Sequence, residues 1–208
     1  MEAKDTQAKA SNAADRDNKS DRVDNIDRVN RVSKVLKVSN DNHTRHPKHG
    51  WEVKKLGEVA TYVNGYAFKP EHWGELGVPI IRIQNLNNPS AEFNYCDADI
   101  PEKFIVEDGD ILISWSASLG VYEWKRGKAY LNQHIYKVVF NKVDINKYFL
   151  KYAVNAKLND MLKDAHGATM KHIVKSDFDN TTIPYPPREE QERIVEELDC
   201  LSVRCKRG

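Results

Sequence analysis

Asp108-Gly109-Asp110-Ile111-Leu112-Ile113-Ser114-Trp115-Ser116 opens the stretch that decides the fold. It continues through Gly120-Val121-Tyr122-Glu123-Trp124 and Lys125-Arg126-Gly127-Lys128, and closes with the run from Ala129 to Phe140. The apolar segments are short, rich in β-branched and aromatic side chains, and punctuated by Gly, so they predict strands rather than helices. Lys125 to Lys128 reads as the turn of a hairpin joining 120–124 to 129–140, and a basic tip suits contact with a phosphate backbone. Working outward, the same punctuation predicts strands over 60–68, 78–85 and 91–95. Residues 145–165 follow as a helix, with Asn146 as cap and Gly167 just past the end. Phe149, Leu150, Tyr152, Ala153, Ala156, Met161 and Leu162 form its core face, leaving Lys147, Lys151, Lys157 and Lys163 to the other. Ile183-Pro184-Tyr185-Pro186-Pro187 predicts an extended connector, because proline ends the preceding element and restricts its neighbour. A last helix, 188–206, begins with Glu189 and Glu190 where the helix dipole favours them. Its Ile194, Leu198, Leu201 and Cys205 form a short heptad seam, which predicts packing of Ile194, Leu198 and Leu201 against a partner helix. The expected fold is α/β in the broad sense, or α+β. A mixed, mainly antiparallel, β-rich domain spans 50–187, and a coiled-coil-type helix spans 188–208.

The 208 residues are 40% apolar and 30% charged, with a mean hydropathy of −0.69. No run approaches the roughly 18 apolar residues of a spanning helix, and the polar start at Met1-Glu2-Ala3-Lys4-Asp5 does not read as a signal peptide. Cys96, Cys200 and Cys205 fit neither a disulfide framework nor a zinc cluster, so a reduced cytoplasmic chain is expected. The net charge of +1 conceals an uneven distribution. Residues 125–175 hold 11 bases and 3 acids, against 5 and 12 in residues 51–124. That concentration of positive charge is how a polyanion footprint hides in a neutral protein. Residues 1–49 contain no aromatic residue, and the Val-bearing triplets of 21–38 give no single apolar helical face. A polar, disordered or weakly helical arm is expected there. His43, His46 and His49 read as part of that linker rather than as a metal site.

Four stretches taken together resemble the target-recognition domain of type I restriction-modification specificity subunits. They are Gly50-Trp51-Glu52-Val53-Lys54-Lys55-Leu56-Gly57-Glu58-Val59 with Asn64-Gly65-Tyr66-Ala67-Phe68; Val78 to Leu86; Asp108 to Ser116 with Gly120 and Leu131-Asn132-Gln133-His134; and Gly167 to Ile173 with Ile183 to Pro187 and Glu189 to Val195. The resemblance implies a non-catalytic subunit in which each recognition domain reads one half of a bipartite site on double-stranded DNA. It also implies methyltransferase and restriction subunits as partners, with S-adenosylmethionine, ATP and magnesium belonging to those partners and no cofactor to this chain. Whole subunits carry two such domains held apart by helices. One domain here leaves open a half-subunit that pairs with a second copy, a recombination cassette or a truncated product.

Phosphate contacts position a DNA-binding protein and base-edge contacts specify the sequence. For phosphates the candidates are Lys125, Arg126, Lys128 and Lys171. For bases the chemistry favours Arg82 for guanine, Gln84, Asn85 and Gln133 for adenine, and His134, with Tyr66 and Trp115 against sugars or bases. Gln133 and His134 sit in a motif shared across targets, which favours a scaffold role. The competing enzyme reading is a metal-dependent nuclease using Asp108, Asp110 and Glu123. A third reading is a product that pairs with a partner helix and binds no DNA.

Overall fold

Ile111-Leu112-Ile113-Ser114 is buried along its whole length because a layer covers each face of the sheet it centres. In the computed structural model, which describes residues 50–116, 118–164 and 173–205 (side chains at 159–164 and 201–205 excepted), these residues form β6. It lies between β9 (Ile135–Val139) and β7 (Gly120–Glu123), and β2 (Thr61–Asn64) pairs with the far side of β9, all antiparallel. Successive strand side chains point to opposite faces. Ile111 and Ile113 therefore enter one core cluster and Leu112 another.

The first cluster lies under the helices. It joins Ile111, Ile113 and Tyr136 to Phe149, Leu150 and Ala153 of α3 (Lys147–Asp164), Phe178 of α4 (Lys175–Asn180), and Leu56 and Val59 of α1 (Leu56–Val59). The second fills the space between this sheet and a second one, ordered β4 (Asn94–Cys96), β3 (Val78–Ile81), β8 (Ala129–Leu131), β5 (Ile105–Val106). Leu112 and Ile135 meet Ile81, Val106, Ala129 and Leu131 there. Within the second sheet β3 and β8 are parallel and the other pairs antiparallel. Ile80 and Tyr130 point away from it into a third cluster with Phe68, Cys96 and Ile100. Burying each such aliphatic side chain is worth about 1.5–3 kcal/mol.

The architecture is the expected mixed, mainly antiparallel α+β domain with a helix at its C-terminal end. Asn146 caps α3 as expected: its Oδ1 accepts the N–H groups of Tyr148 (2.9 Å) and Phe149 (3.1 Å). Among the described residues no helix is long and apolar enough to cross a membrane. The arm at 1–49, with His43, His46 and His49, lies outside the described residues, as does Lys171.

Several local expectations are corrected. The run 129–140 is two strands in different sheets, because Asn132-Gln133-His134 breaks it and His134 adopts φ 74°. Lys125 to Lys128 consequently closes no hairpin: β7 pairs back onto β6, while β8 pairs with β3 and β5, so the turn carries the chain between sheets. The predicted strand 78–85 ends at Ile81, and Ile83–Asn87 forms the short helix α2. The proline-bearing connector is strand β10 (Thr182–Tyr185), paired antiparallel with β1 (Glu52–Lys55). Last, α5 (Arg188–Cys205) folds back on its own domain. Ile194 and Leu198 are 0% and 2% exposed in the isolated chain, packed in the cluster that holds α3, so neither is available to a partner helix. Gln191 secures this docking, accepting the Asn146 N–H (2.8 Å) and donating to the Pro186 carbonyl (2.9 Å). The Leu201 side chain lies outside the described set.

Candidate nucleic-acid interface

Because β9 runs antiparallel to both β2 and β6, the segments after Asn64, after Ser114 and before Ile135 leave the sheet at one edge. Backbone hydrogen bonds knit them together. Gly65 donates to Ile135 (3.0 Å), Tyr66 to Leu131 (2.8 Å), Gln133 to Tyr66 (2.9 Å), Trp115 to His134 (3.3 Å) and Ile173 to Trp115 (3.1 Å). A Cβ on Gly65 would stand 2.0 Å from the Asn132 carbonyl oxygen, so only glycine permits this approach. Stretches recognisable far apart in the sequence thus meet at one place. The half-buried Trp115 ring stacks on Tyr136 (centroids 5.5 Å apart, 20° between planes), and its Nε1 donates to Asn64 Oδ1 (3.1 Å). The His134 ring lies 5.1 Å from Trp115 on the outer side of the stack, and His134 and Gln133 are exposed. Burial and the nearby Asp179 carboxylate push the Tyr136 phenol up to about 12, so it stays neutral here.

Tyr66 belongs to packing. Its ring is half-buried, edge-on to Phe68 (5.0 Å) and Phe104 (5.3 Å) in the third cluster. Asn85 is corrected as a base reader. Asn85 is 1% exposed, and its side chain accepts the Arg82 N–H (3.0 Å) while donating to the carbonyls of Ala91 (3.1 Å) and Glu92 (3.0 Å). The Arg82 guanidinium lies over the Trp73 ring (5.4 Å) and donates to the Glu92 carbonyl (3.3 Å). Gln84, between them, is exposed.

At the turn 125–128 the three cations separate in role. Arg126 lies over the rings of Trp124 (4.6 Å) and Phe93 (5.0 Å) and donates to the carbonyls of Asn85 and Pro89 (3.2 Å to the latter). Two of its N–H groups therefore brace the loop, while the residue as a whole is exposed. Lys128 is exposed. Lys125 is 70% exposed and pairs at 3.2 Å with Glu123, whose side chain is 13% exposed. Much of the remaining basic segment is tied down. Lys137, Lys142 and Lys147 donate to the carbonyls of Ile105, Gly57 and Gly109, and Lys175 pairs with Asp179.

The three acids of the nuclease reading hold loops. Asp108 accepts the Gly127 N–H (2.7 Å), Asp110 the Glu107 N–H (2.9 Å), and Glu123 the Tyr148 hydroxyl (3.2 Å). Burial raises the Glu123 carboxyl, but Lys125, Lys151 and the Tyr148 hydroxyl together outweigh this and hold it below the ordinary range. Among the described residues no three His, Cys, Asp or Glu side chains are grouped to hold a metal.

The exposed segment Asn87-Asn88-Pro89-Ser90, joined to the basic turn by Arg126, was not among the sequence candidates. Its composition signals a turn and carries no mark of function by itself.

Comparison with known proteins places these features in a family. A model of the type I restriction modification DNA specificity domain matches residues 48–205. The chain is 29% identical over 153 residues to the type I restriction enzyme EcoBI specificity subunit of Escherichia coli, covering 73% of this chain and 32% of that protein. It is 26% identical over 156 residues to the MjaVIII specificity subunit of Methanocaldococcus jannaschii, covering 71% and 35%. Among solved structures, the HsdS subunit from Thermoanaerobacter tengcongensis superposes with a TM-score of 0.64 at 20% identity, over 96% of this chain and 49% of that one. A chain from a structural study of complex assembly in the type I R-M system gives 0.65 at 23% identity, over 97% and 52%. The chain spans about a third of the length of these curated relatives and about half of the solved chains.

Proposed function

We propose a function for a chain that belongs to the type I restriction modification DNA specificity domain family: it recognises one half of a bipartite sequence on double-stranded DNA and performs no catalysis itself. The observation that carries this reading is the exposed pair Lys125 and Lys128 on a turn braced by Arg126 against an amide-rich loop. Cations bind phosphates and amides read base edges, so this surface offers both halves of sequence-specific binding. In this reading the methyltransferase and restriction subunits bring the chemistry, together with S-adenosylmethionine, ATP and magnesium, and the complex works in the cytoplasm. The other half of such a site is read by a second recognition domain.

The nuclease reading loses support because Asp108, Asp110 and Glu123 each hold a local backbone or side-chain contact. Co-expression with a methyltransferase subunit of the same system, followed by base-resolved sequencing of the host DNA, tests the proposal. The expected result is a methylated motif that disappears when the chain is omitted. A motif that persists unchanged without the chain contradicts the proposal, as does magnesium-dependent cleavage by the chain alone that Asp110→Ala abolishes.

A further inference from the structure

The loop between β3 and β4 is fixed from within far more thoroughly than its exposure would suggest. Asn85 sits buried at its centre, bonded to the backbone of Arg82, Ala91 and Glu92. Asn88 closes the tip, its Oδ1 accepting the Ser90 N–H (2.9 Å) and its carbonyl the Ala91 N–H (3.0 Å). The Tyr122 hydroxyl reaches across from β7 to Asn87 Oδ1 (2.6 Å). Arg126, 41 residues on from Asn85, ties both shoulders of the loop through the Asn85 and Pro89 carbonyls. A loop held at so many points loses little further freedom when it binds, and preorganisation of this kind raises affinity and sharpens discrimination.

Its outer surface has a particular chemistry. Gln84, Asn87, Asn88 and Ser90 are exposed, and no charged side chain lies between Arg82 and Glu92. The protein holds the side-chain oxygens of Asn87 and Asn88. Each asparagine thereby presents its Nδ2 donors, which match the acceptors of purine N7, guanine O6 or thymine O4 in the major groove. Gln84 carries both a donor and an acceptor, the combination that pairs bidentately with adenine.

We propose that the loop Gln84 to Ser90 is the base-reading element of this domain, with Gln84, Asn87 and Asn88 determining specificity and Arg126 positioning them. This inference rests on the DNA-recognition reading above. Lys125 and Lys128 then lie on the turn that Arg126 joins to the loop, where they contact the phosphates flanking the bases being read. Arg126 acts through the loop, which it holds at the Asn85 and Pro89 carbonyls.

The test is selection of bound sequences from a pool of randomised duplexes by the full 208-residue chain, repeated at two salt concentrations. Gln84→Ala, Asn87→Ala and Asn88→Ala are each expected to relax preference at one or two base pairs, roughly five- to hundredfold, since each is exposed and leaves the Asn85 brace in place. Arg126→Gln is expected to blur the preference at those same base pairs with the salt dependence of binding unchanged. A phosphate contact would instead leave the motif intact and lower the salt slope by about one. Three amide variants that select the wild-type motif overturn the proposal, as does a wild-type chain that binds duplexes without preference. A chain that binds no duplex at all overturns the underlying DNA-recognition reading instead.

Discussion

The motif edge and the amide loop use similar side chains to opposite ends. At the motif edge Asn64, Trp115 and the 131–135 backbone are consumed by mutual hydrogen bonds. In the loop one asparagine, Asn85, is buried as a brace, while Asn87 and Asn88 remain exposed. The residues that make the chain recognisable are those whose polar groups the fold needs. A framework common to many targets has to hold its shape whatever sequence is read, and the reading groups have to be replaceable without disturbing it.

The largest expected effect tests the framework. Gly65→Ala forces a Cβ against the Asn132 backbone and should cost about 3 kcal/mol or more, lowering Tm by about 6–12 °C. A Tm within about 2 °C of wild type would show that the edge is not closely packed. Asn85→Ala comes next. It removes the side-chain partner of the Arg82 N–H and the Ala91 carbonyl and leaves the Glu92 carbonyl to Arg82 alone, and a loss of about 2–3 kcal/mol is expected in urea unfolding. If stability is unchanged, Asn85 is no brace and the contrast with Asn87 and Asn88 collapses. Trp115→Phe removes the exposed bond to Asn64 while keeping a ring on Tyr136, for about 0.5–1 kcal/mol. A loss of DNA binding greater than its loss of stability would move Trp115 from framework to reader. Smallest is Tyr62→Phe. The Tyr62 hydroxyl is buried with no hydrogen-bond partner among the described residues, so its removal should leave stability equal or raise it by up to about 1 kcal/mol. A clear destabilisation would mean that this hydroxyl has a partner.

What could be read in the sequence follows the same division. β6 was legible because all four of its residues are buried between layers, and the cap at Asn146 because capping is local chemistry. β1 and β10 were not. Glu52-Val53-Lys54-Lys55 and Thr182-Ile183-Pro184-Tyr185 are poor strands by composition, and each is completed by the other from across the domain. The break at Asn132-Gln133-His134 carries no Gly or Pro, and only the positive φ of His134 reveals it. Ile194 and Leu198 gave a true apolar seam, but spacing cannot say which surface covers it, and here α3 and the sheet do. At the candidate site Lys125 and Lys128 were legible as exposed charge. Asn85 has suitable chemistry for DNA, yet its amide already serves the fold, and Arg82 and Arg126 each spend part of their guanidinium on loop carbonyls; only three-dimensional placement decides that.

The most direct test of the account is the affinity of the full chain for duplex DNA as a function of salt, for wild type and for the Lys125→Ala/Lys128→Ala double variant. The account predicts that log affinity falls linearly with log salt for wild type, because bound phosphates release counterions, and that the double variant lowers the slope by roughly 1–2. Wild-type affinity that does not change with salt, or a slope unaltered by removing both lysines, would contradict it.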